Sequence, residues 1–172
     1  IMGFIALVWR IRMMEVLVIS SAPIGAAFTM IALITGSLWG RPMWGTFWVW
    51  DARLTSELVL LFLYFGVIAL YKAYDEPRKA ARAASLLSIV GAFNLPIIYF
   101  SVVWWNTLHQ GSSFTGDGPG IHPSMLLPLL IMATTMKFFY GANLLSRARL
   151  TLLKQDHRKR WVQDLLCEES SK

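Results

Sequence analysis

The chain has 172 residues, 56% of them hydrophobic, a mean hydropathy of +0.52, a net charge of +6 and a pI near 9.8. The apolar share exceeds the roughly 45–50% of soluble domains, and the lone Cys167 excludes an intrachain disulfide, a CxxC motif and a cysteine-held zinc or iron–sulfur site. The basic residues flank the apolar runs, so the charge reads as membrane topology and not as nucleic-acid binding.

In chain order, Ile1–Trp9 is a short apolar stretch ended by Arg10-Ile11-Arg12. It reads as the tail of a span that began before Ile1, so the chain is expected to be N-terminally truncated. A long apolar run, Val16–Leu38, carries Pro23 and Gly25, which a helix in a bundle tolerates when neighbours satisfy the freed carbonyls. Trp39–Ser56 is rich in Trp and Gly. Glu57–Tyr71 is apolar, Lys72–Arg82 is charged and contains Pro77, and Ala83–Trp104 is apolar around Asn94-Leu95-Pro96. Trp105–Pro123 is polar and glycine-rich, Ser124–Leu145 is a last span, and a basic tail follows. Runs near the ~20 residues that cross a bilayer predict an all-α integral membrane protein. The expected architecture is a transmembrane helix bundle with four complete spans plus the end of a fifth, in one domain over 1–172. Loops at 39–56 and 105–123 and a tail at 146–172 complete it.

Lys and Arg concentrate in alternate connections. Arg10 and Arg12 lie in the first, Lys72, Arg78, Lys79 and Arg82 in the third, and Arg147, Arg149, Lys154, Arg158, Lys159, Arg160 and Lys172 in the tail. The loop at 39–56 has only Arg41 and Arg53, and the loop at 105–123 has none. The positive-inside rule puts the basic segments in the cytoplasm and both other loops outside. Lys137, inside the last run, is expected to snorkel its ammonium toward an interface.

The loop at 39–56 holds four of the chain's eight Trp, namely Trp39, Trp44, Trp48 and Trp50. Trp suits any membrane interface, yet this density, with glycines and an embedded acid, exceeds what anchoring requires. If the stretch after Pro42 is helical, Trp44, Trp48, Asp51 and Thr55 share one face of an amphipathic segment lying along the membrane. Indole faces can stack on a large planar ligand, and Arg41 and Arg53 can pair with its carboxylates. Asp51 can orient an indole N–H or pair with Arg53. In the second outer loop, His109 follows Trp104 and Trp105 and supplies an imidazole, the usual protein ligand of heme iron; a lone histidine is more often a hydrogen-bonded interfacial group. His122 is a weaker candidate, and His157 lies among solvated charges. No catalytic triad, phosphate loop or dinucleotide fingerprint is present.

The run Trp44-Gly45-Thr46-Phe47-Trp48-Val49-Trp50-Asp51-Ala52-Arg53-Leu54-Thr55-Ser56 resembles the tryptophan-rich WWD signature of heme-handling proteins. With Ala22-Pro23-Ile24-Gly25, Thr35-Gly36-Ser37, Glu57–Tyr64, Asn94-Leu95-Pro96-Ile97-Ile98 and Trp104–Gly111, nearly the whole chain is similar to the heme exporter protein C (CcmC) family of cytochrome c maturation. The resemblance implies six spans in the bacterial inner membrane and heme b bound on the periplasmic face. It also implies delivery to the heme chaperone CcmE and association with CcmA, CcmB and CcmD. It casts Trp44, Trp48, Trp50, Asp51, Arg41 and Arg53 as porphyrin contacts and His109 as one axial ligand, the other family ligand lying ahead of Ile1. No turnover chemistry is expected. The alternative is a permease subunit of an ABC-type exporter, whose midplane polar site would have to be built from Pro23, Asn94 and Pro96. The heme lyase that shares the signature is much longer than this chain.

Overall fold

The computed structural model describes residues 2–105, 107–109, 114–115, 118–119, 122–157 and 159–163. Five α-helices dominate: α1 (Met2–Trp9), α2 (Arg12–Trp44), α3 (Ala52–Ala73), α4 (Pro77–Trp104) and α5 (Pro123–Gln155). Between α4 and α5, β1 (Phe114–Thr115) and β2 (Gly118–Pro119) form a minimal antiparallel ladder, Phe114 opposite Pro119. Helices α2 to α5 are each long and apolar enough to cross a membrane, and the protein is a multi-pass membrane bundle.

The helices outrun the apolar runs that predict them. Helix α2 continues through Trp39–Trp44, α4 begins inside the charged connection, and α5 carries the first ten residues of the basic tail. Local chemistry sets these ends. Pro77 and Pro123 open α4 and α5 at the first-turn position where a missing N–H costs nothing. Gly45, at φ 77° in the left-handed region, ends α2 and donates its N–H to the Arg41 carbonyl at 2.9 Å. The Asp51 carboxylate caps α3 by accepting the Leu54 N–H at 2.8 Å.

In lipid, helices associate through close packing and interhelical polar bonds, not through expulsion of apolar surface from water. The interfaces follow that rule. Ala26 and Leu33 of α2 pack on Leu54 and Leu61 of α3, and Ala22, Val67 and Ala84 join α2, α3 and α4. Glycines permit close approach. A Cβ on Gly3 would stand 2.4 Å from the Ser88 hydroxyl of α4, and one on Gly25 would stand 2.5 Å from the Tyr64 ring of α3. Asn94 of α4 donates its amide to the Ser56 carbonyl at 2.8 Å in a buried bond worth about 1 kcal/mol. Ser20–Thr151 (3.2 Å) and Ser21–Tyr140 (2.9 Å) tie α5 to α2. Phe93, Val103 and Phe138 stand exposed, as lipid-facing side chains do. Lys137 is exposed on α5.

This antiparallel order gives the bundle two unlike ends. One gathers the end of α2, the start of α3, the end of α4 and the start of α5, and is rich in Trp. The other gathers the opposite termini and is basic.

Candidate functional site

The Trp-rich segment is two helix ends joined by a seven-residue turn, 45–51, and not one amphipathic helix across 42–56. Glycine at the left-handed position stops α2. Thr46 then folds the turn, its hydroxyl donating to the Trp48 carbonyl at 3.2 Å and accepting the Trp48 N–H at 3.4 Å. The helical face of Trp44, Trp48, Asp51 and Thr55 therefore does not form; Trp44 and Trp48 still pack on one buried cluster, but from a helix end and a turn.

Trp44 and Asp51 converge on His109. The His109 Nδ1 lies 2.8 Å from Asp51 Oδ2, with side chains 18% and 6% exposed, so the ion-pairing edge is withdrawn from solvent. The carboxylate accepts, so Nδ1 carries the proton and Nε2 presents its lone pair. The Trp44 and His109 ring centres are 4.7 Å apart at 70°, and Trp39 meets Trp44 edge-on at 5.6 Å and 85°. The His109 N–H also donates to the Thr107 hydroxyl at 3.3 Å. An indole and a carboxylate thus restrain the imidazole from two sides, and a threonine holds the backbone that carries it.

Asp51 is the residue whose role the sequence mislocated. It serves neither Arg53 nor an indole N–H. One oxygen caps α3 and the other holds a histidine 58 positions away. Spacing carries no trace of such a long-range pair, but chemistry does: a metal-bound imidazole usually donates its second N–H to a carboxylate.

The remaining site candidates fall elsewhere. Trp48 packs inward on the Ala26–Leu33–Leu54–Leu61 cluster, and its buried indole N–H has no hydrogen-bond partner among the described residues. Trp50 stands 75% exposed and meets Trp48 edge-on at 5.4 Å and 75°. These rings are not coplanar, so they form no flat shelf, and Trp50 is the most exposed indole among the described residues. Arg41 lies 4.6 Å over the Phe47 ring, a cation–π contact that holds its guanidinium at the surface. Arg53 sits half-buried in the first turn of α3. His122 caps α5, accepting the Ser124 N–H at 3.4 Å, and is exposed. His157 is exposed and lies 3.2 Å from the Lys154 carbonyl. Asn94, the polar midplane residue a permease would use, is spent on the Ser56 carbonyl.

No group of three or more His, Cys, Asp or Glu able to hold a metal ion occurs among the described residues. A single oriented imidazole beside indoles does not suit a chelated bare ion.

Comparison with known proteins identifies the family. The family profile of Heme exporter protein C matches residues 1–163. Heme exporter protein C of Escherichia coli strain K12 is 52% identical over 170 residues, covering 99% of this chain and 69% of that protein. The Haemophilus influenzae protein of the same name is 49% identical over 166 residues, covering 96% of this chain and 68% of the relative. A putative cytochrome c biosynthesis ccmC-like mitochondrial protein of Arabidopsis thaliana is 48% identical over 129 residues, 75% of this chain and 48% of that protein. With the match running through the Trp turn, the Asp51–His109 pair and every span, this multi-pass membrane protein belongs to the Heme exporter protein C family.

Proposed function

We propose that this protein binds heme b at the Trp end of the bundle and delivers it to the chaperone CcmE during cytochrome c maturation, without turnover chemistry of its own. The supporting observation is the Asp51–His109 pair, which leaves Nε2 of an otherwise restrained imidazole available to iron. Heme would supply the iron that makes this nitrogen a ligand. His109 binds, Asp51 fixes its tautomer, Trp44 fixes its tilt, and the exposed Trp50 offers a stacking face. Arg41 and Arg53 are the cations of this end that propionates can reach for.

In this reading the Trp end faces the periplasm of a bacterial inner membrane, as the Lys/Arg asymmetry favours. CcmA, CcmB and CcmD are the partners. The permease alternative is the weaker one, because Asn94 is already hydrogen-bonded within the bundle.

The test is the absorption spectrum of the purified, heme-loaded protein. His109→Ala should shift the heme bands and lower heme retention by about tenfold or more, the order expected when a metal ligand's shell is broken. His122→Ala should leave both unchanged. Loss of heme in His122→Ala with a normal spectrum in His109→Ala would overturn the ligand assignment.

A further inference from the structure

The basic end of the bundle encloses an open cavity of about 870 Å³, within the roughly 300–1,000 Å³ of small-molecule sites. It lies among the starts of α2 and α4, the Arg10 link after α1, and the end of α5. Six of its lining residues are cationic, against the three acids Glu15, Glu76 and Asp156. Two of the acids are already used. Asp156 binds Arg12 at 2.6 Å and Lys159 at 3.1 Å, and Glu76 binds Lys79 at 2.9 Å. Arg10, Arg78 and Arg82 have no ion pair among the described residues, yet all three line the cavity. Arg78 and Arg82, four apart on α4, share a helix face. Arg10 is held at φ 53°, the one non-glycine residue with a positive φ among those described.

Three unpaired guanidiniums in one concavity call for an anion with several acceptor oxygens, and phosphate matches their forked donors. A porphyrin does not suit the space, since Val16 and Pro77 are its only apolar lining side chains among the described residues. Depth identifies the source of the phosphate. Trp9, immediately before Arg10, is 62% exposed and Trp161, just past Lys159, is 43% exposed. Exposed indoles at the ends of apolar helices mark the headgroup layer, where basic pockets between spanning helices meet anionic lipids.

We propose that this cavity binds the phosphate headgroup of an anionic phospholipid. The proposal does not depend on the heme reading of the opposite end. Native mass spectrometry of the full chain, delipidated and then offered equal amounts of phosphatidylglycerol and phosphatidylcholine, tests it. The wild-type protein should retain phosphatidylglycerol preferentially. Arg78→Gln/Arg82→Gln should weaken that preference by about 25-fold, since each basic side chain near a charged membrane surface is worth about fivefold. Lys72→Gln, at an exposed cation of the same end outside the cavity, should change it by less than about twofold. If the double variant does not fold, Arg10→Gln replaces it, with about a fivefold loss expected. Equal retention of the two lipids, or full retention in whichever Arg variant folds, overturns the proposal. So does displacement of the lipid by millimolar inorganic phosphate, which would make this a site for a soluble anion. Preferential capture of an acidic peptide over phosphatidylglycerol would assign the cavity to a protein partner instead.

Discussion

The two ends of this bundle handle charge in opposite ways. At the Trp end, one carboxylate and one imidazole are paired and shielded, with an indole against the ring and a threonine on its backbone. At the basic end, cations outnumber acids, the cavity is open, and three guanidiniums have no ion pair among the described residues. The same helices supply both ends, so the contrast does not come from fold. It comes from what each connection contributes: a short turn that can aim side chains at one point, against helix termini whose long flexible side chains line a wet concavity. A paired, rigid group suits coordination, where orientation decides, whereas a surplus of mobile cations suits attraction, where charge decides.

The largest expected effect tests whether the two ends lie on opposite faces of a membrane. In a Cys167→Ser background, cysteines placed at Trp50 and at Arg78 should label from opposite sides with an impermeant thiol reagent, an all-or-none difference. Labelling of both from one side would break the comparison at its root.

A second contrast lies within the Trp turn. Trp48→Ala removes a ring packed on the core and should cost about 3 kcal/mol of stability. Trp50→Ala, at 75% exposure, should cost within about 0.5 kcal/mol yet lower heme retention. Equal melting losses for the two would show that the turn is not divided into an anchoring and a presenting indole.

A third, smaller effect separates the two duties of Asp51. Asp51→Ala should cost about 1 kcal/mol, the worth of a helix cap. Asp51→Asn, still a good cap, should keep most of that stability while altering the heme spectrum, because an amide nitrogen cannot accept the imidazole proton. An Asn variant with a wild-type spectrum would reduce Asp51 to a cap.

The smallest effect belongs to the basic end. The Arg12 guanidinium, helped by Lys159 and opposed by desolvation, holds the Asp156 carboxyl below its ordinary value of 3.8. A carboxylate whose folded value is depressed contributes its stabilisation above the ordinary value and loses it as the pH falls through the folded one. Thermal melts should therefore show a wild-type advantage over Asp156→Asn at neutral pH that fades below pH 3.8. An advantage that persisted in stronger acid would mean that the pair does not act through charge.

The spans were legible because an apolar run of bilayer length has few other uses, and the two ends because Lys and Arg sort themselves by connection. Helix ends were less so. Arg and Leu of 147–153 are good helix formers, and nothing in their polarity shows that α5 continues through them. At the site, His109 stood out by its residue type and its place after two indoles. Its partner did not, since Asp51 and His109 meet only through the packing of α2, α3 and α4. The shared face of Trp44 and Trp48 failed for a local reason: Gly45 adopts a left-handed backbone and breaks the period on which that face depends.

Because a single carboxylate group both starts α3 and grips His109, that imidazole and a spanning helix are mechanically joined. Helix α3 has 22 residues, so it is a rod about 33 Å long. Any displacement of the imidazole would pass through Oδ2 to the first turn of that rod, whose far end approaches the basic face: Tyr71, near its close, accepts a hydrogen bond from Gln155 at 3.1 Å. Gln155 in turn accepts from Arg12 at 3.3 Å. A displacement at one face would thus register at the other as a small axial shift, and infrared or exchange measurements on the α3 backbone are the place to look for it.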